Sequence, residues 1–170
     1  MENKGFTITL PVIKQNDSPR VLSMDKTKEA ESRLIEAKMV NPATYPELEY
    51  VFNESYRELK SHLAIVGYDI AMAEKHLANV KAEILLDKYP EFLKDKTSKF
   101  DNAEVRNAFV QKDPEYQKAL DTVSTLKMIE MLMDGKVKVM ERVTSYMKKQ
   151  MDLILKSGVN TSLYVGGFKK

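Results

Sequence analysis

One run of apolar residues constrains this chain more than any other feature. Tyr56, Leu59, Leu63, Val66, Ile70, Ala73, Leu77, Val80 and Ile84 recur at alternating steps of three and four. That spacing keeps one stripe of an α-helix turned toward a single packing partner for about four heptads. Pro46 stands where a first helical turn would tolerate its missing N–H, with Thr44 and Glu47 at capping-box spacing, and Tyr89-Pro90 closes the run. The expectation is a helix over 46–88.

A second long helix is expected over 114–157. Asp113-Pro114 is an N-cap followed by proline at the first helical position. Leu126, Met133, Met140, Met147 and Ile154 then repeat every seven residues, and glycine at 158 suggests a stop. A shorter helix over 26–39, with Asp25 as its N-cap, precedes Asn41-Pro42. Another over 102–111 follows Asp101, which has capping-box spacing to Glu104, with Phe100 and Val105 placed as a hydrophobic staple. Residues 89–100 read as a charged linker. The expected fold is all-α, a long antiparallel, coiled-coil-like helical hairpin. It has a short N-terminal helix, a short helix at the tip, and extended arms at both ends. A single helical domain is expected over 23–158, between an arm (1–22) and a tail (159–170).

Gly67 and Gly135 fall at one level of such a hairpin, which suggests a close crossing or a shared hinge; alternatively Asp134-Gly135 breaks the second helix in two. A 43-residue helix is about 65 Å long. A compact globule of this chain length is only roughly 40 Å across. The apolar face of the second helix is also wider than a two-helix seam needs, so the 26–39 helix, another subunit or both must cover it, and self-association is expected. Met128, Met131, Met133, Met140, Met147 and Met151 either fill a core or offer an adaptable face to a protein partner. Phe6-Thr7-Ile8-Thr9-Leu10 reads as a strand, an arm for a partner, or a frayed end.

The net charge of +2 hides an uneven layout. Residues 136–170 carry Lys136, Lys138, Arg142, Lys148, Lys149, Lys156, Lys169 and Lys170 against only Glu141 and Asp152. Lys138, Arg142, Lys149 and Lys156 share a stripe about 40° wide at 100° per residue. Tyr146 lies one turn beyond Arg142, and Tyr164 and Phe168 sit in the tail. Cations that track phosphates, interleaved with rings that stack on bases, are what a binder of single-stranded DNA needs. The nucleic-acid-binding candidates are therefore Lys136, Lys138, Arg142, Tyr146, Lys148, Lys149, Lys156, Lys169 and Lys170. A solvated face, with Asp152 pairing Lys148 or Lys156 and Tyr146 belonging to the core, is the competing reading.

No catalytic constellation, metal site or cofactor site emerges. His62, Asp69 and His76 share a helical column, but successive members are about 10 Å apart, too far to share an ion, so they read as solvated face residues. Glu58 and His62 at i, i+4 lack a third ligand. Cysteine is absent, which removes thiolate chemistry and fits a reducing compartment. Met1-Glu2-Asn3-Lys4 is not followed by an apolar run, and the apolar stretch Leu63–Ala73 is interrupted by Asp69. A cytoplasmic protein with no membrane partner is expected, in the host cytoplasm if viral.

The run Asp69-Ile70-Ala71-Met72-Ala73-Glu74-Lys75-His76-Leu77 through Lys88-Tyr89-Pro90 carries a resemblance. So do Asn102-Ala103-Glu104-Val105-Arg106-Asn107-Ala108 and Asp113-Pro114-Glu115-Tyr116. Over 69–155 the chain resembles small helical-hairpin proteins of bacteriophages and prophages that accompany homologous-recombination genes. More distantly it is similar to the recombination mediator family of T-even-like phages. The resemblance implies a small oligomeric protein that binds single-stranded DNA and helps load a recombinase. The alternative is a structural, assembly or adaptor protein (a virion component or host-factor inhibitor) that works by helix packing without nucleic acid.

Overall fold

A computed structural model describes residues 6–14, 17–36, 40–94, 96 and 101–165, with side chains through Ser157 apart from that of Glu36. Strands β1 (Thr7–Thr9) and β2 (Val21–Ser23) precede helices α1 (Asp25–Glu36) and α2 (Tyr45–Glu83). A π-turn (Ile84–Lys88) leads into α3 (Tyr89–Leu93), followed by α4 (Ala103–Lys112) and α5 (Pro114–Val165). The fold is mostly α, with a long helical hairpin-like region over 45–93 and 114–157 and one small two-stranded sheet.

Two compact units divide the chain: Met1–Ile8, Ser23–His62 and Met133–Lys170 in the first, Thr9–Leu22 and Leu63–Leu132 in the second. In the first unit residues of both predicted seams are fully buried, Leu59 of α2 and Met133, Met140 and Met147 of α5, and Phe52 joins them from one heptad before Leu59. The Glu49 carboxylate near the start of α2 meets Lys148 near the end of α5, as an antiparallel pair requires. Helix α1 is docked by a polar latch. The Glu58 carboxylate on α2 accepts the backbone N–H of Lys26 and of Thr27, and the Thr27 hydroxyl at 2.8 Å. Buried Ser55 donates to that hydroxyl. Glu58 thus supplies from another helix the acceptor that the first turn of α1 lacks within itself.

In the second unit Val80 and Ile84 pack with Val110, flanked by Phe109 and Tyr116. Lys127 of α5 bonds Glu74 of α2. Asp113 caps α5 as expected, accepting the N–H of Glu115 at 2.9 Å.

Several expectations need correcting. Asp25 is the first residue of α1 rather than its cap, because Glu58 does the capping; α1 is described only to Glu36, and residues 37–39 of the expected helix lie outside the described residues. The helical path does not end at Tyr89-Pro90. The widened turn places the Tyr89 N–H on the Ile84 carbonyl, and Pro90 falls in the first turn of α3, where a missing N–H is tolerated. Asn102, not Asp101, caps α4 by accepting the Val105 N–H at 2.9 Å. Asp101 instead takes the Arg106 guanidinium and the Tyr89 hydroxyl. Phe100 of the expected staple lies outside the described residues.

The glycines are also corrected. Asp134-Gly135 does not break α5, and Gly158 does not stop it, since α5 continues to Val165 and no described glycine takes a positive φ. A Cβ built at Gly67 or Gly135 meets nothing within 4 Å, so neither marks a close crossing. The expected strand Phe6–Leu10 pairs within the chain: the Leu10 N–H donates to the Arg20 carbonyl and the Met24 N–H to the Phe6 carbonyl. Asp69 is not a solvated face residue. It is buried and accepts the Arg20 guanidinium at 2.9 Å, which holds the segment between the strands against α2.

Candidate nucleic-acid interface

Helix α5 presents three faces within the first unit. Its inner face is the buried methionine and valine seam. A second, at Lys136, Val143 and Gln150, is half-buried. The third is exposed and carries Lys138, Arg142, Tyr146, Lys149 and Lys156, while Lys136 lies on the half-buried face and Lys148 beside α2.

The structure sorts those candidates by partner. Lys136 is spent on Glu31 of α1, and Lys138 on Asp134 one turn earlier at 2.6 Å. Lys148 lies 3.7 Å from Glu49. Neither Lys148 nor Lys156 pairs with Asp152, so that part of the competing reading is corrected: a helical i, i+4 spacing permits the contact, but Lys148 reaches across to α2 instead. Arg142, Lys149 and Lys156 have no carboxylate within 4.0 Å among the described residues. Lys169, Lys170 and Phe168 lie outside the described residues. Tyr164 falls in the last turns of α5, beyond the described side chains.

Tyr146 stands 60% exposed among these cations. Lys138, Arg142, Tyr146 and Lys149, with Glu141 and Ser145, line one open depression of about 400 Å³. The patch continues past Ser145 and Lys149 into a groove of about 390 Å³, whose opposite wall is Asn53 and Tyr56 of α2. Sequence reasoning missed Asn53. It placed Tyr56 in the apolar seam, where the residue is only half-buried. Their signal would have been position: both lie on the edge of α2 that borders α5.

Beside the cations runs a second row. Val139, Tyr146 and Leu153, seven residues apart, are 52%, 60% and 60% exposed. They are the surplus apolar face expected of this helix, and among the described residues nothing covers them. The methionine question resolves by position in the same way: Met133, Met140, Met147 and Met151 are buried, whereas Met128 and Met131 are exposed.

A second cluster of cations in the sequence, Lys94, Lys96, Lys99, Arg106 and Lys112, surrounds the expected hairpin tip, and among the described residues three of them are engaged. Arg106 is held by Asp101, Lys94 is 3.9 Å from Glu91, and Lys96 sits over the Phe92 ring. Among the described residues no group of three or more His, Asp or Glu side chains is placed to hold a metal ion. Nor, among them, is any helix long and apolar enough to cross a membrane.

Among the described residues, the fold and this patch present a row of cations without ion-pair partners beside an exposed aromatic, with Glu141 and Asp152 lining the adjoining depressions. No protein family matches the chain, and neither a curated protein nor a solved structure matches it.

Proposed function

We propose that this chain is a non-enzymatic, phage-type DNA-transaction accessory protein. It binds single-stranded DNA along the outer face of α5 and acts in the cytoplasm as a recombination mediator or similar helper, as a homo-oligomer. The observation that carries the reading is that, among the described residues, Arg142, Lys149 and Lys156 lack carboxylate partners while Lys136, Lys138 and Lys148 have them. A folded protein gains little from unpaired surface cations in one row, whereas a polyanion gains one phosphate contact for each.

A salt titration of single-strand binding tests this. Three phosphate contacts on a single strand give a slope of log affinity against log salt of about −2. Absence of binding at low salt removes the reading.

The exposure of Val139 and Leu153 favours a second reading, in which the same face packs a protein partner as an assembly or adaptor surface. Under it, replacing Arg142 and Lys149 by glutamate leaves function intact.

A further inference from the structure

The apolar row Val139–Tyr146–Leu153 is a feature that phosphate tracking alone does not explain, because phosphates need only cations. Two occupants suit an exposed heptad row: a second copy of the chain, or a ligand carrying its own apolar groups. Charge decides between them. In an antiparallel pair of helices the same flank of each meets its copy, so the Arg142 and Lys149 row would face its own cations. In a parallel pair it would face the flank of Lys136, Val143 and Gln150, whose nearby carboxylate, Glu31 of α1, is already spent on Lys136. Both arrangements bring like charges together or leave them uncompensated.

A single-stranded nucleic acid satisfies both rows at once. Its phosphates suit Arg142, Lys149 and Lys156, and its unstacked bases suit the parallel row beside them. The rows share one period, about 10.5 Å per seven residues. The cationic row spans about 21 Å from Arg142 to Lys156, which corresponds to the short end of the roughly 4–16 nucleotides a single-strand site covers. A duplex keeps its bases inside the stack and offers this face only phosphates.

We infer that Tyr146 is a base-stacking platform, with Val139 and Leu153 as apolar contacts on either side, and that it is the residue by which this face selects single-stranded over double-stranded nucleic acid. The inference rests on the nucleic-acid reading above and goes beyond it by naming the specificity determinant.

The test is fluorescence anisotropy at low salt with the full chain, a labelled oligothymidylate and a blunt duplex of equal length. Tyr146→Ala should weaken single-strand binding by roughly 5- to 150-fold, the range for loss of one stacked base, and leave duplex binding unchanged. Tyr146→Phe keeps the ring and should keep the preference. Circular dichroism should be identical for all three proteins, since the side chain is exposed. If Tyr146→Ala weakens both ligands equally or neither, while the wild type still binds, the platform is wrong and the cationic interface stands. If the wild type binds neither ligand, the interface itself fails and the platform with it.

Discussion

The Lys88 ammonium lies 2.8 Å from the Asp113 carboxylate, tying the π-turn after α2 to the residue that caps α5. Glu115 takes the same ammonium at 2.9 Å. The widened turn and the Asp-Pro start of α5 are therefore one junction, built from residues 25 apart in sequence.

That junction should be acid-sensitive. The hydrogen bond from Lys88 is the largest cause holding the Asp113 carboxyl below its ordinary value, and the N–H groups of Glu115 and Tyr116 add to it. A group whose folded pKa is depressed contributes stability above its unfolded pKa, about 3.9, and loses it as pH falls through the folded value. Asp113→Asn keeps a capping side chain and removes the charge. Its Tm should lie below wild type at neutral pH, and the gap should close below about pH 4. A gap independent of pH would mean that the Lys88 pairing is not its source.

The Glu58 latch predicts a larger effect. Glu58→Ala removes the acceptor for the first turn of α1 and strands the buried Thr27 and Ser55 hydroxyls. Urea denaturation should show a loss of about 1–3 kcal/mol. Glu54→Ala breaks only a bridge to the exposed Arg57 and should change stability by less than about 0.5 kcal/mol. Equal effects would contradict the assignment.

Gly67→Ala and Gly135→Ala should each stabilise the protein by about 0.5–1 kcal/mol. Both positions are helical and an added Cβ meets nothing. A fall in Tm for either substitution would show that the glycine answers to a contact outside the described chain, such as a second copy.

The seam of α2 and the Asp113-Pro114 start of α5 were legible because each depends on residues within a turn or two of one another. Heptad spacing fixes which side of a helix is buried, and Leu59, Val66, Ala73 and Val80 are buried accordingly. What the sequence hid depends on distant partners. Asp69 reads as one more surface charge until Arg20 is placed beside it, and Glu58 reads as half of an i, i+4 pair until α1 arrives. Tyr89-Pro90 looks like a stop because a π-turn leaves no periodic signature. Gly158 looks like one because propensity marks where a helix can end rather than where it does.

The candidate site divides along the same line. A shared azimuth along α5 is visible in the spacing of Lys138, Arg142, Lys149 and Lys156. Which of the cations are spent on Glu31, Asp134 or Glu49 is visible only in the fold.

The most direct test compares the salt dependence of single-strand binding in the wild type with that in Arg142→Ala/Lys149→Ala/Lys156→Ala. The wild type should show a log–log slope of about −2, falling to near zero in the triple variant, with helicity and oligomeric state unchanged. An unchanged slope in the variant, or a wild type with no affinity for the strand at low salt, would contradict the account.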